Sequence, residues 1–117
     1  MQVTVYHNPR CSKSRATLDL LEERGIVPTV VRYLDTPPTP STLARLAAML
    51  GVPAREMVRT GEAAWRELGL DIDAVDDATL FGLMSEHPIL IQRPIVVAGA
   101  RARIGRPPEN VLEILRS

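Results

Sequence analysis

The stretch YHNPRCSKSR, Tyr6 to Arg15, carries Cys11, the only cysteine in the chain. Arg10, Lys13 and Arg15 surround it, and no acidic residue occurs from Met1 to Arg15. The thiolate is the reactive form of cysteine, and positive surroundings favour it. A buried, inert thiol is the plain alternative, but such residues usually sit in apolar runs. Cys11 instead stands between Arg10 and Ser12 at a turn, so the reactive reading is preferred. His7 could tune the thiol, or it could be a strand-end histidine satisfied by backbone. Asn8 and Pro9 suit the turn, and Ser12 and Ser14 can bond loop backbone or a bound oxyanion.

A dithiol oxidoreductase needs a second cysteine three positions on to resolve its mixed disulfide. Ser14 occupies that place, and a hydroxyl cannot perform the exchange. Any covalent adduct on Cys11 must therefore be released by a thiol from outside. Lys13 is the only lysine, the other basic residues being arginines. Guanidinium is the planar, multi-donor cation suited to tetrahedral oxyanions, although base composition of a genome also enriches arginine. Position must decide which arginines matter.

The elements around Cys11 explain its setting. QVTVYH alternates in polarity and predicts a strand over Gln2–His7. SKSRATLDLLEER predicts a helix with Leu18, Leu20 and Leu21 as its apolar stripe, Arg24 in its last turn and Gly25 stopping it. PTVVRYL predicts a second strand. Strand, helix, strand at this spacing is a βαβ unit with parallel strands and a right-handed crossover. Cys11 then lies at a helix start, where unpaired N–H groups present roughly half a positive charge. Thiols at such places fall from about 8.5 to between about 3.5 and 7.5.

DTPPTPS breaks the chain, and Ser41 is the expected cap of the helix TLARLAAML, which ends at Gly51. Short helical segments follow near Ala54–Val58 and Glu62–Leu68. DDATLFGLMSEH is a further helix, capped by Asp76 or Asp77, with Leu80, Leu83, Met84 and His87 facing inward. PIVVAGARARI predicts an antiparallel hairpin turning near Gly99. RPPENVLEILRS predicts a closing helix with proline in its first turn. The order is βαβ, a helical insertion over about 41–88, then ββα. That is an α/β, thioredoxin-like fold with an insertion between its halves.

At 117 residues the expectation is one domain. Acidic and basic residues balance at 14 each, giving no bulk electrostatic reason to expect nucleic acid or an anionic membrane. No apolar run approaches the roughly 20 residues that span a bilayer, and the first strand begins too early for a signal peptide. A lone cysteine makes no internal disulfide, so the cytoplasm is the expected compartment. No His/Cys cluster has metal-ligand spacing, so no metal is expected, and a monomer is the simplest state.

Three blocks, YHNPRCSKSRATL, HPILIQRPIVV and ARIGRPPENVLEIL, resemble the glutaredoxin-coupled bacterial arsenate reductases of the ArsC family. They are most similar to its shorter paralogues, which lack a C-terminal extension; this chain ends directly after its last predicted helix. The resemblance runs nearly end to end. It implies a thioredoxin-like fold with a helical insertion, with Cys11 as nucleophile. It also implies Arg59, Arg93 and Arg106 as oxyanion ligands, His7 as an influence on the thiolate and Ser14 as a polar helix-start residue. Arg59 lies in a looser block, where Arg55 or Arg66 could take its place. Pro94 is implied to be cis and to face the thiol.

On the residues alone, Arg93 could simply end a strand in solvent and Arg106 could pair with Glu109. The function implied is reduction of arsenate to arsenite through a Cys11–arsenic adduct, with glutathione or a similar small thiol as co-substrate and glutaredoxin as partner. No tightly bound cofactor is implied. Other classes are a redox-sensing regulator of the same fold, a glutaredoxin-like thiol-transfer protein, and a module binding phosphate-like anions without turnover. Ser14 counts against the regulator, since such proteins typically carry Cys-x-x-Cys.

Overall fold

Val3 and Val5 are buried while Thr4 and Tyr6 are half-buried, the period of two expected of a strand. This strand, β1 (Val3–Tyr6), pairs parallel with β2 (Thr29–Val31) and antiparallel with β3 (Ile95–Ala98), which pairs antiparallel with β4 (Arg101–Ile104). The sheet order is β2-β1-β3-β4. The structure, a computed structural model, describes residues 2–115. The described residues form two compact units, one of residues 2–36 with 93–115 and one of residues 37–92.

In the sheet unit, α1 (Ser12–Glu23) is the βαβ crossover. Leu21 on α1 packs with Val3, Val5, Val96 and Ala98 of the sheet and with Val111 and Ile114 of the final segment, with Leu18 and Leu20 against this cluster. Register places Val3 opposite Ala98 and Val5 opposite Val96, so a one-residue slip would turn this whole set to the other face. Burying Leu21 fully contributes about 2–3 kcal/mol. The final helix is a 3-10 helix, Pro108–Ile114. Arg103 Nε lies 2.9 Å from Glu113 Oε2, and Arg101 Nη2 donates to the Glu113 carbonyl at 3.2 Å. These contacts tie that segment to β4. Arg116 and Ser117, the expected end of this helix, lie outside the described residues.

The second unit is helical: α2 (Pro40–Leu50), α3 (Ala63–Leu68) and α4 (Asp77–Glu86), with 3-10 turns at Ala54–Met57 and Pro88–Leu90. Ser41 is not the cap of α2. Thr39 is: its hydroxyl accepts from the Thr42 amide at 3.1 Å, because Pro40, lacking an N–H, already occupies the first helical position. Asp76 caps α4, accepting from the Thr79 amide at 2.8 Å. Of the expected inward face of α4, Leu80 and Met84 are buried, whereas Leu83 and His87 are only half-buried. Both strands of the βαβ unit are shorter than the segments QVTVYH and PTVVRYL that predict them. The regular pairing ends at Tyr6 and Val31, although the His7 amide still donates to the Val31 carbonyl at 2.8 Å. Among the described residues, no helix is long and apolar enough to cross a membrane.

Candidate active site

The loop between β1 and α1 is built by its own backbone and short side chains. The Cys11 amide donates to the Asn8 carbonyl at 3.0 Å, and the Asn8 side-chain oxygen accepts from the Arg10 amide at 3.0 Å. Both are the turn geometry that asparagine favours. Ser14, fully buried, accepts from the Asn8 amide at 3.4 Å. Arg15 Nη1 donates to the Pro9 carbonyl at 2.9 Å. Asn8, Ser14 and Arg15 thus hold the loop together rather than reaching outward.

Cys11 becomes the N-cap of α1, with extended backbone and no capping bond from its side chain. Cys11 is half-buried. Burial pushes the thiol up. The backbone N–H groups of Ser14 and Lys13, then the Arg93 guanidinium, outweigh that and bring it down to about 7. Arg106 Nη1 lies 3.9 Å from Sγ and 3.4 Å from the Arg93 carbonyl oxygen, which accepts its hydrogen bond. Arg106 therefore turns to the thiol, not to Glu109.

Arg93 is half-buried, with Nε and Nη1 shielded from solvent. It does not end its strand in water. The Arg93–Pro94 and Arg106–Pro107 peptide bonds are both cis. Gly105, between the two arginines' segments, donates its N–H to the Pro94 carbonyl at 2.9 Å. Two cations drawn from distant parts of the sequence thus act on one sulfur, beside amides with no intrahelical acceptor. Such a site ionises a thiol and attracts a tetrahedral anion.

Arg59 belongs to the helical unit. Its amide donates to the Leu90 carbonyl at 2.7 Å, and its Nε pairs with Glu62 at 3.1 Å. His7 is buried, with Nδ1 lacking a hydrogen-bond partner. Burial, then the charges of Arg32 and Arg15, hold its pKa below the usual histidine value, so it stands neutral at pH 7. Among the described residues no group of three or more His, Cys, Asp or Glu could hold a metal.

Sequence reasoning missed Tyr33 and Gly105. Tyr33 is 1% exposed, and burial raises its hydroxyl pKa against the nearby Arg93 charge and the Asn8 side chain. Nothing in a strand-like PTVVRYL marks it as a neighbour of Arg93. Gly105 lies in the block IGRPP, where its neighbours carry the charge.

Titrating thiolate absorbance against pH should give a Cys11 midpoint near 7. Arg93→Ala should raise it, the helix-start amides still keeping it below a free thiol. A wild-type midpoint at the ordinary thiol value would mean a structural cysteine. The sign for stability follows. A folded thiol more acidic than the unfolded one contributes stability above the unfolded range and loses it as pH falls through about 7.

Half-buried Cys11 at a helix start of a thioredoxin-like sheet, with Arg93 and Arg106 acting on its sulfur, defines a site built around one thiol and two cations. Residues 6–114 match the ArsC family. The chain is 49% identical to an arsenate reductase of Neisseria meningitidis over 97% of this chain and 98% of that protein. It is 52% identical to YfgD, an uncharacterised protein of Escherichia coli, over 97% of each. A solved arsenate reductase from Vibrio cholerae superposes with a TM-score of 0.94 at 53% identity, covering 97% of this chain and 98% of that one. The chain belongs to the ArsC family.

Proposed function

We propose that this protein is an arsenate reductase that works through a covalent Cys11–arsenic adduct. The observation that carries this reading is the Arg106 guanidinium 3.9 Å from a thiol lowered to about 7, in a chain of the ArsC family. Arsenate is held by the α1 amides with Arg93 and Arg106. Arg59 is retained from the sequence resemblance as a third ligand, and to serve it must exchange its Glu62 carboxylate for substrate.

In the first step the Cys11 sulfur bonds to arsenic and an arsenic–oxygen bond breaks, the oxygen leaving as water or hydroxide. No electrons change hands there. Positive charge at the oxygens eases the departure. A small thiol, glutathione or one like it, then bonds to arsenic with loss of a second oxygen as water. Glutaredoxin attacks that thiol's sulfur, forming a disulfide. The electron pair of the arsenic–sulfur bond stays on arsenic, reducing As(V) to As(III). Hydrolysis frees arsenite and returns Cys11. In sum one arsenate and two thiols give arsenite, one disulfide and water.

No tightly bound cofactor enters this scheme. A lone cysteine that depends on external thiols suits a reducing compartment, the cytoplasm, and a monomer suffices. The test is NADPH consumption with arsenate, glutathione, glutathione reductase and glutaredoxin. Consumption that requires arsenate and all thiol components is expected. Consumption unaffected by omitting arsenate would indicate thiol transfer instead, and none at all would leave an anion-binding module.

A further inference from the structure

A pocket of about 220 Å³ opens beside the Cys11 loop, lined by His7, Asn8, Arg10, Arg32, Leu34 and Asp35 among others. Cys11, Arg93 and Arg106 are not among its lining residues. Its floor is buried and polar: His7 is 6% exposed and Asn8 3%. Its rim is charged with both signs. Arg10 is exposed, and Arg32 Nε lies 3.4 Å from Asp35 Oδ2 with both side chains well solvated, 62% and 66% exposed. An ion pair so exposed is worth little by itself and can open to a ligand that brings both charges.

We propose that this pocket binds the amino-acid head group, α-carboxylate and α-ammonium together, of the small thiol that resolves the Cys11 adduct. This rests on the reading that an external thiol does so. The α-carboxylate takes Arg10 and Arg32, and the ammonium takes Asp35. With His7 neutral, the rim carries two cations and one anion, which suits a zwitterion that bears a further carboxylate elsewhere.

Size and reach agree. Whole drug-sized ligands occupy roughly 300–1,000 Å³, so a pocket of about 220 Å³ accommodates one end of a peptide thiol and leaves the rest outside. The pocket reaches Arg10, whose Cα is about 3.8 Å from that of Cys11. In a γ-glutamyl-cysteinyl unit about seven bonds separate the glutamyl Cα from the sulfur, a reach of about 9 Å when extended, so a head group held at this pocket leaves its thiol free beyond the rim. The single-cysteine chain supplies no resolving thiol of its own, and a contact beside its loop would hold an external one near the adduct.

S-methylglutathione, which cannot react, is the probe. Titrated into the ¹⁵N-labelled protein without arsenate, it should shift the amides of Asn8, Arg10, Arg32 and Asp35 most. Arg32→Gln and Asp35→Asn, both at exposed side chains, should each weaken its affinity about tenfold, the scale of losing one charge-assisted contact. Shifts centred elsewhere, unchanged affinity in both variants, or equal competition by sodium acetate would overturn the proposal; the last would mean that the rim reads an anion alone. Binding is read without turnover. A failed coupled assay with intact S-methylglutathione binding therefore removes the arsenate reading and leaves the pocket, while the converse removes the pocket only.

Discussion

Replacing Cys11 by serine should lower arsenate-dependent NADPH consumption at least about a thousandfold, the scale of losing a nucleophile. The reason is ionisation. A thiol at about 7 is half thiolate at neutral pH, whereas a serine hydroxyl in the same place is almost wholly protonated. His7 is neutral but has no contact to Cys11 that would let it serve as a base for serine. The α1 amides and both arginines remain, so Cys11→Ser should still bind arsenate, measurable by calorimetry, without forming an adduct detectable by mass spectrometry. In the wild type, adduct formation should rise as pH increases through about 7 and then level off. Retained turnover in the serine variant would end the covalent mechanism. Loss of anion binding as well would show that the sulfur itself, not the guanidinium groups, supplies most of the grip.

Gly105→Ala should destabilise the protein by about 2–3 kcal/mol, in the range of overpacking a close-fitted interior. A Cβ at Gly105 would stand 2.6 Å from Thr17 Oγ1 and 2.8 Å from Pro94 Cγ. Neither neighbour can yield easily. Thr17 is fully buried on α1 and donates to the Lys13 carbonyl at 2.9 Å. Pro94 is a buried ring whose carbonyl accepts from the Gly105 amide. The requirement is for space rather than for an unusual backbone angle.

The added methyl would push α1, whose cap is Cys11, away from the segment that carries Arg93. Thermal unfolding should therefore drop by about 4–8 °C per kcal/mol, with slower adduct formation in the fraction still folded. Thr17→Ala in the same chain should restore part of the loss, because it removes one of the two clashes. A Gly105→Ala protein as stable as the wild type would mean that α1 and Pro94 are not held at this separation.

Much of the scaffold was legible from pattern. Alternation in QVTVYH and the leucines of α1 announced the βαβ unit, since apolar residues at period two or on one helical face have nowhere else to go. The hairpin at Gly99 followed from two β-branched or alternating runs about one turn. Helix starts were less legible. Ser41 has the right chemistry for a cap, yet Thr39 takes the role because the proline between them opens the helix. The closing segment is helical where the pattern places it but with 3-10 pitch over Pro108–Ile114, a difference that nothing in its residue pattern announces.

The site divides along the same line. From residue order alone came a lone thiol, with no resolving partner, set at a strand-to-helix junction among cations. These follow from local properties: what a helix start does to charge, and what one cysteine cannot do by itself. Only tertiary structure decided that Arg106 meets the sulfur rather than Glu109, that Arg93 is shielded rather than solvated, and that Gly105 keeps α1 and Pro94 within a methyl's width. Contacts between residues some ninety positions apart depend on how a sheet stacks its strands, and no short-range pattern records that.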